Sequence, residues 1–577
     1  MKNLSLQTIG LAFITTVSLT SCDGLAKLVK NAGKISYKVT PDPIEMHGDS
    51  ISLSVSGTFP IKIFPKKATV TTTPVIKYDG GEKALKPIIL IGEKLEGNVQ
   101  KIKKAEGGSY TYTSEKFAYT PEMKKAVLEL RVEGQVKKKV KSLPSVKIAD
   151  GTVVTPLLVK SDGKGIMAKD KLVRTIQRSQ SANIFFTINQ SQVRPAEMKS
   201  DDLKAFKEFI TAGIAKSFVF KNINLSAYAS PDGELTLNSS LAENRAVEAA
   251  KAMIAMFKDE KTKLDVATAD AFYNKVTTAE DWDGFKKAIE NSSIPDKDLI
   301  LRVLTMYPNG ETREKEIKNL SKTYVEVADK ILPQLRRAVL TLNAEEKGRT
   351  DEEIKALATT TAEGLSIEEL LFAGTLTNDL NTKLEIYKKA ELKYSSDWRA
   401  FNNLGNVYLL QNKLNEAETH FKKAIELSPK NEIINNNLGI VAHSKGDRKA
   451  AMELYKSALS AGPEVNYNIG IIEIQNGNYA SAISNFGNFN TFNLALAKLL
   501  NKNADGAIST IDGSTEKDAA ISFYLKAICG ARQNKADYIT SNLKTAIQKD
   551  ASFKALAKDD AEFIKFRENE EFKAIVN

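Results

Sequence analysis

The sequence predicts a multidomain protein in which an all-β region, a mixed α/β region and a C-terminal α-helical array follow one another. Three observations lead to this fold class. Short alternating apolar and polar runs fill residues 35–165, strand and helix patterns alternate over residues 166–345, and a helical pattern repeats within residues 366–577. The chain of 577 residues is long enough for about three or four domains.

Residues 1–21 have the pattern of a secretory signal, with an apolar run too short to span a membrane. The stretch LTSC that ends at Cys22 resembles the lipobox of bacterial lipoproteins, in which the cysteine is acylated and becomes the first mature residue. The resemblance implies a lipid anchor on Cys22 in an outer membrane, with residues 22–34 as a linker near the lipid. An ordinary cleaved signal with an incidental cysteine is the alternative, and the side of the membrane stays open.

Basic residues are concentrated in the first folded region. The chain has 82 Lys and Arg against 71 Asp and Glu, a formal charge of +11, and residues 23–165 alone carry 25 against 15. A solvated lysine-rich surface explains this excess, and an anionic polymer or a membrane surface is the alternative. The run KKKVK at 137–141 is expected at a strand end or edge, where charge blocks edge-to-edge aggregation.

Cys529 is the second of only two cysteines, so no disulfide framework is expected in the mature chain. It lies in the helical-looking run YLKAICGARQ and is predicted to be a small buried apolar residue. No apolar run beyond residue 22 is long enough to span a membrane, so the lipid is the only membrane attachment that the sequence predicts.

Residues 35–165 read as strands of half-buried sheets. In SISLSVSGTF and AVLELRVEG, apolar and polar residues alternate with the period of a strand. Turn signals such as PDP, DGG and GG separate these runs. One or two antiparallel, immunoglobulin-like β-sandwich modules are therefore expected.

Residues 166–345 read as strand, helix, strand, helix, a helical insertion at about 258–331, and a closing strand in LPQLRRAVLTLN. The second strand leads into YASPDGELTLNSSLAENRA, a loop followed by a helix. This stretch resembles the peptidoglycan-binding domain of the OmpA family, in which a strand ends in Thr-Asp and a Gly, an Asn and Leu-Ser-x-x-Arg-Ala follow. The positions that match at the family's spacing are Gly233, Asn238, Leu241, Arg245 and Ala246.

The resemblance implies that Arg245 binds a carboxylate of the peptidoglycan stem peptide by a bidentate bond. The family's aspartate, which binds the ammonium group, is replaced by Ser230. Losing one member of a buried charge pair costs about 2–5 kcal/mol, so weakened peptidoglycan binding is expected. Asp232 is a nearby carboxylate that could substitute, and Asn238 completes the candidate site. The alternative is a packing or docking domain in which Arg245 pairs with a neighbouring acid.

The last region, 366–577 after a linker at 346–365, resembles a solenoid of tetratricopeptide repeats (TPRs) with a period of 34 residues. The first full copy places its packing residues at Phe401, Leu404, Gly405, Tyr408, Ala417, Phe421, Ala424 and Pro429. The next copy has Leu438, Gly439, Ala451, Tyr455 and Ala458. Small residues suit close helix approaches, large residues fill the gaps, and proline ends the second helix.

Nothing in the sequence selects a catalytic site, a metal site or a cofactor. The three histidines, His47, His420 and His443, are scattered and lack metal-ligand spacing. Phosphate-loop and nucleophile-elbow motifs are absent from the sequence. No enzyme activity and no nucleic-acid partner are expected, although a dispersed carboxylate pair of the glycosidase kind stays open.

The sequence therefore predicts a lipid-anchored envelope scaffold that binds a partner protein in the concave groove of its TPR array. Large charged residues at Ala417 or Ala451 are expected to open the array. The rival is a glycan-binding or glycan-processing surface lipoprotein. Its one candidate platform is the aromatic group Tyr110, Tyr112, Phe117 and Tyr119, although strand tyrosines usually pack in a core.

Overall fold

The computed structural model describes residues 24–259 and 262–577, so the signal sequence and Cys22 lie outside the described residues. The chain forms two compact units. One contains residues up to 168 together with 390–577, and the other contains residues 169–389. The described helices include none that is both long and apolar enough to cross a bilayer.

The described N-terminal part of the first unit contains one α-helix and thirteen strands. They are α1 (Gly24–Lys30), β1 (Ser36–Thr40), β2 (Ile44–His47), β3 (Ser50–Ile51), β4 (Ser54–Phe59), β5 (Thr69–Tyr78), β6 (Gly81–Ala84), β7 (Ile88–Gly92), β8 (Gln100–Ile102), β9 (Gly108–Thr113), β10 (Phe117–Ala118), β11 (Val127–Val136), β12 (Lys139–Ser142) and β13 (Val146–Val153).

These strands form two sheets around a shared core. The smaller sheet has the order β1-β4-β9, and the larger has the order β10-β3-β2-β13-β11-β5-β7-β8, with β6 and β12 at its side. Val55, Leu90, Leu128 and Leu130 are among the residues buried between them. The expectation of purely antiparallel sheets is wrong, because β2 pairs with β13 and β7 with β8 in parallel. Burial alternates along β11 as the sequence pattern predicts.

Residues 22–34 were expected to form a linker, but the described part of this stretch contains α1. Leu25 and Leu28 on α1 are buried, and both pack at Gly134, where an added Cβ would lie 2.9 Å from Leu25 Cδ2. The same hairpin carries the run at 137–141, whose residues are all exposed, and within the part of the chain that the structure describes its strand β12 pairs only with β11. The predicted edge position of the lysine run is thereby confirmed.

The middle unit begins with an α/β sheet and its insertion. Its elements are β14 (Thr175–Phe185), α2 (Asp201–Ala215), β15 (Val219–Tyr228), α3 (Leu235–Met256), β16 (Tyr273–Thr278), α4 (Trp282–Glu290), α5 (Lys297–Met306), α6 (Gly310–Asn319), α7 (Ser321–Glu326), α8 (Leu332–Leu335) and β17 (Arg337–Lys347). The sheet order is β14-β17-β15-β16, in which β15 and β16 are parallel and β17 is antiparallel to both neighbours.

The insertion begins later than the sequence pattern indicated. Residues 273–278 form the edge strand β16 within the stretch predicted to be helical. Four of its six residues are exposed in succession, so the apolar alternation that identifies a strand is missing. Helices α4 to α8 pack on each other around Phe285, Ile300 and Leu332. The closing strand also begins later than expected, because residues 332–335 are helical.

The predicted linker at 346–365 is largely structured. Strand β17 runs to Lys347, and α9 (Asp351–Thr359) and α10 (Ile367–Ala373) follow. Both helices start with a capping box, formed by Thr350 with Glu353 and by Ser366 with Glu369. These helices and most of α11 (Leu380–Lys393) belong to the middle unit, so the C-terminal array is shorter than the predicted range 366–577.

The rest of the first unit is a helical array. Its helices are α12 (Trp398–Leu410), α13 (Leu414–Leu427), α14 (Glu432–Ser444), α15 (Arg448–Lys456), α16 (Pro463–Gln475), α17 (Tyr479–Phe486), α18 (Phe492–Leu500), α19 (Ala504–Asp512), α20 (Ala520–Arg532), α21 (Ala536–Lys549), α22 (Ser552–Asp559) and α23 (Glu570–Val576). Successive helices pack in pairs, α12 with α13, α14 with α15 and so on to α20 with α21.

Within three pairs a glycine faces an aromatic ring. An added Cβ would lie 2.7 Å from Phe421 at Gly405, 2.5 Å from Tyr455 at Gly439, and 2.8 Å from Phe486 at Gly470. Of the other residues assigned to packing, Phe401, Leu404, Ala417, Ala424, Ala451 and Ala458 are buried, Tyr408 and Leu438 are half-buried, and Pro429 is exposed just after α13. Cys529 on α20 is buried, which raises the pKa of its thiol to about 12.

Candidate functional site: a peptide groove and a buried arginine cluster

One asparagine from the first helix of each of four successive repeats lies in a groove of the array. These residues are Asn403 on α12, Asn437 on α14, Asn468 on α16 and Asn493 on α18, and each is at most 1% exposed. A buried amide must find hydrogen-bond partners, because an unsatisfied one costs about 1–3 kcal/mol. The groove therefore requires an occupant that offers both donors and acceptors.

The occupant is the chain's own segment 160–168, which has neither helix nor strand. Each of the four amides accepts from the N–H and donates to the C=O of a single residue in this segment. Asn403 binds Ala168 at 2.7 and 3.0 Å, Asn437 binds Ile166 at 2.8 and 2.9 Å, Asn468 binds Lys164 at 2.7 and 3.1 Å, and Asn493 binds Lys160 at 2.9 and 2.9 Å. The segment thus runs from the later repeats toward the earlier ones, held by main-chain contacts.

A second row of amides supports the first. Asn402 and Asn406 donate to the Ile166 carbonyl at 3.1 and 3.0 Å, and Asn436 donates to that of Lys164 at 3.1 Å. The rows are joined across repeats, since Asn437 donates to the Asn402 side chain at 2.8 Å and Asn468 to that of Asn436 at 2.9 Å. We call these buried amides the asparagine ladder (Asn402, Asn403, Asn406, Asn436, Asn437, Asn468, Asn493).

Charged and aromatic groups flank the ladder. Tyr467 Oη donates to both carboxylate oxygens of Asp162 at 2.9 Å, and Lys164 Nζ lies 4.4 Å from the centre of the Tyr467 ring. Lys160 pairs with Glu516. Burial alone raises the pKa of the Glu516 carboxyl, but the bonds from Lys160 and from the Phe492 N–H outweigh it and hold that pKa below its ordinary value.

The groove that was predicted to be open for a partner is therefore occupied by residues assigned by sequence to the β-module and to the start of the middle domain. Strand β13 ends at Val153, and the chain then enters the groove. The ladder was not identified from sequence, although a signal for it exists: NNLG occurs at 402–405 and again, one period later, at 436–439. The Leu-Gly part of each motif marks the TPR, and the two asparagines before it are the ladder residues.

The candidate peptidoglycan site of the middle unit is a buried cluster. Arg245 is 1% exposed, and its guanidinium donates to the main-chain carbonyls of Tyr228 at 2.9 Å, Gln190 at 3.1 Å and Thr187 at 3.4 Å. Burial and the neighbouring Arg336 lower its pKa to about 10, opposed by Asp232. Arg245 therefore binds main-chain carbonyls, and the alternative in which it pairs with a neighbouring acid is wrong in its choice of partner.

Asp232 pairs with Arg336, a residue that sequence reasoning missed. Arg336 Nη2 lies 3.1 Å from Asp232 Oδ2, and its Nε donates to Ser230 Oγ at 3.2 Å. Ser230 Oγ in turn donates to Asp232, and Asn238 fixes the loop by donating to the carbonyls of Ser230 and Gly233. The doubled arginine in LRRAV, at the start of the closing strand, was the available signal.

Helices of the insertion cover this loop. A small cavity beside Pro231 and Asp232 is lined from the insertion side by Trp282, Phe285, Glu314, Ile317, Tyr324, Val327 and Leu332. Burial, with the nearby Asp232 carboxylate contributing, raises the pKa of Tyr324. In this conformation a ligand carboxylate cannot reach the Arg245 guanidinium, because protein atoms already surround it.

The other candidate residues lie apart from one another. His47 packs against Tyr479, His420 stacks on Tyr408, and His443 bonds Gln475 at 2.9 Å. Among the described residues, no three or more His, Cys, Asp or Glu side chains are placed to hold a metal ion. Tyr110 is in the core of the domain formed by strands β1 to β13 (the β-domain), and Tyr112, Phe117 and Tyr119 pack half-buried against this core.

The tetratricopeptide repeat family matches residues 398–431, which are α12, α13 and the turn after them. The C-terminal array therefore contains a TPR. The BBSome complex member BBS4 of Bos taurus is 29% identical over 112 residues, which are 19% of this chain and 21% of that protein. The chain thus spans about a fifth of this curated relative's length.

Solved structures give partial similarity. A tetratricopeptide repeat protein from Parabacteroides merdae is 15% identical, with a TM-score of 0.28, over 46% of this chain and 98% of that one. PilW, a type IV pilus biogenesis factor, is 14% identical, with a TM-score of 0.27, over 40% of this chain and 100% of that one.

Proposed function

We propose that this protein is a non-enzymatic, lipid-anchored scaffold of a bacterial outer membrane whose TPR array binds extended protein segments of an envelope or secretion assembly. The observation that carries the proposal is the asparagine ladder, in which four side chains each bond both main-chain groups of one residue. Amides that bind main chain in this way hold an extended segment without contacting the side chains of the residues they bind. The array thereby provides a peptide-binding surface.

The anchor rests on Cys22 and is tested separately from the array. Cys22→Ala removes the thiol on which the lipid would be built, so the variant is expected to stay unprocessed or to become soluble. Metabolic labelling with a fatty-acid probe, together with membrane fractionation, measures this directly. If the variant still incorporates label and stays with membranes, the protein is not anchored through Cys22.

The partner-binding role is tested by crosslinking and capture from solubilised envelopes. Asn437→Ala with Asn468→Ala removes two members of the ladder, so proteins captured through the groove are expected to be lost. Asn435→Ala is the matched control, because this neighbouring amide bonds Ser457 at 3.0 Å and not the segment. An unchanged set of captured proteins would place partner binding outside the groove.

The middle unit supports the proposal of an OmpA-like domain with weakened peptidoglycan binding. Support comes from the antiparallel closing strand between β14 and β15, from Ser230 at the family's aspartate position, and from the bonds that already occupy Arg245. Because Arg245 is enclosed in this conformation, peptidoglycan can bind there only when the loop opens, so sedimentation with isolated sacculi is expected to detect weak binding that Arg245→Ala abolishes and Ser230→Asp strengthens. Tight binding that is indifferent to Arg245→Ala would contradict this role.

The alternative, a glycan-binding or glycan-processing surface lipoprotein, has less support. Its candidate aromatic residues contribute to the β-domain core instead of forming an exposed platform. Binding of the full chain to soluble glycans that is lost on Tyr112→Ala would support this alternative function.

A further inference from the structure

The resident segment can leave the groove without breaking regular secondary structure. Residues 159–173 contain no helix or strand, so their main chain is not part of a sheet. In residues 160–168 the main-chain bonds described above are made to side-chain amides of the array. Release exchanges these bonds for bonds to another extended segment or to water, and leaves the helices of the array in place.

Two glycines set what the groove accepts between the bonded residues. A Cβ at Gly165 would lie 2.2 Å from Asn406 Oδ1, and one at Gly163 would lie 3.1 Å from Ile440 Cγ2. The Asn406 amide cannot turn aside freely, because it donates to the carbonyls of Ile166 and Asn402. The groove therefore selects glycine at position 165, and it favours glycine at position 163, where a Cβ would require the Ile440 side chain to shift by a few tenths of an ångström.

The residues around these glycines add charge selectivity. Lys160 pairs with Glu516, and its Nζ lies 4.9 Å from the centre of the Phe492 ring. This position therefore suits a basic residue. The position of Asp162 meets the Tyr467 hydroxyl and the Asn493 amide at 2.9 and 2.8 Å, which suits an acceptor. Lys164 lies over Tyr467, and Ile166 packs on an apolar cluster. The pattern is basic, any, acidic, Gly, basic, Gly, apolar.

Building on the proposed function, we infer that the groove is a binding site for a partner protein segment of this pattern, and that residues 160–168 are a resident ligand that such a segment replaces. A tethered ligand has an effective concentration of the order of mM. A free partner segment of equal intrinsic affinity must therefore compete against the tethered segment 160–168 for the groove. Partner binding is gated by release of the resident segment, and a partner held close by, for example on the same membrane, competes best.

The test uses the purified full chain and a fluorescent peptide with the sequence of residues 158–169. The wild-type chain is expected to bind the peptide at least about 100-fold more weakly than a Gly163→Val/Gly165→Val chain, whose own segment no longer fits. Ser161→Val is the matched control, because it introduces a valine into the same segment at an exposed position. This control should bind as weakly as wild type.

Two further arms test the site and its selectivity. Asn437→Ala combined with Gly163→Val/Gly165→Val is expected to abolish the peptide binding that the double valine chain gained. A peptide with valine at both glycine positions is expected not to bind the double valine chain. If circular dichroism finds the double valine chain unfolded, Ile166→Pro releases the segment instead by removing the N–H that Asn437 accepts.

The inference is overturned if a folded, released chain fails to bind the peptide, or if wild type binds it equally well. It is also overturned if the valine peptide binds as tightly, or if release produces a concentration-dependent dimer, since the occupant would then be a second copy. The peptide assay needs neither lipid nor envelope. Peptide binding without capture of any envelope protein would therefore count against the scaffold role, but it would still support the peptide specificity of the groove.

Discussion

Asparagine suits the ladder because one planar amide carries both a donor and an acceptor. Each such side chain can satisfy both main-chain groups of one extended residue, which a carboxylate or a hydroxyl does less well. The amides are buried, so their hydrogen bonds to the segment are shielded from solvent. Individual ladder residues should therefore contribute measurably to stability, whereas exposed asparagines on the same helices should not.

Asn437→Ala is expected to lower the free energy of unfolding by about 1–3 kcal/mol, because the buried Ile166 N–H and the Asn402 side-chain oxygen lose the bonds that Asn437 makes to them. Chemical denaturation measures the loss, and hydrogen exchange of the Ile166 amide should become faster. Asn435→Ala, half-buried on the same helix, should change neither quantity. Equal effects of the two substitutions would mean that the ladder does not hold the segment.

Asp560 gives a pH-dependent prediction. Burial and the nearby Glu562 raise the pKa of its carboxyl, although Tyr524 Oη donates to it at 2.6 Å. The folded state therefore binds this proton more tightly than the unfolded state, and the stability it contributes at low pH is lost as pH rises through the folded pKa. Asp560→Asn keeps an acceptor without the charge.

The free energy of unfolding of this variant minus that of wild type should therefore be larger at about pH 7 than at about pH 4, because wild type loses stability as pH rises through the raised pKa of Asp560 and the variant does not. Urea titrations at both pH values measure the difference. A difference that stays constant or falls would show that the buried carboxylate is not the source of the pH dependence.

At the scale of elements, helix pairs in the array approach closely because small residues face large ones. Gly405, Gly439 and Gly470 each lie against a ring of the second helix of the pair. Ala417 and Ala451 are fully buried at corresponding positions. A side chain larger than alanine there has no space without separation of the helices, because interiors are close-packed.

Ala417→Arg is expected to destabilise the array by about 1–3 kcal/mol from overpacking, with a further loss from the buried charge. Circular dichroism should detect reduced helicity, and limited proteolysis should cut within α12 to α15 while the β-domain stays intact. Thr419→Arg is the control, since Thr419 is exposed on the same helix. Unchanged proteolysis of Ala417→Arg would contradict the packing assignment.

At the scale of the first unit, the β-domain and the array are joined by a polar contact as well as by the segment. Arg532 on α20 pairs with Glu562 and, at 3.0 Å, with Glu45 on β2. These two acids hold the pKa of the Arg532 guanidinium above its usual range despite burial. Gly48 also donates to Tyr479 Oη at 3.2 Å, and Lys125 pairs with Asp559 at 2.9 Å.

Arg532→Met is expected to cost about 3 kcal/mol, because it leaves the nearly buried Glu562 carboxylate without its cation. Glu562→Gln in the same chain should recover part of the loss. The control is Arg131→Met, which breaks an exposed pair with Glu82 and should shift the unfolding temperature much less, because solvent screens an exposed pair. Calorimetry compares the three. Equal shifts for both arginines would mean that this contact does not join the two parts.

The sequence by itself determined the local features. Alternation identified strands such as β11, capping and periodicity identified helices such as α2, and the repeat of small and large residues identified the array, because these signals arise between residues close along the chain. Where the signal was weak, as in the exposed strand β16, the prediction was wrong.

Only the tertiary structure decided where distant residues meet. The segment 160–168 binds amides that lie more than 230 residues away along the chain, and Asp232 takes Arg336 as its partner in preference to Arg245. A side-chain amide that bonds main chain imposes no sequence requirement on the residue it binds. For that reason the repeated asparagines could be read from the sequence, whereas their occupant could not.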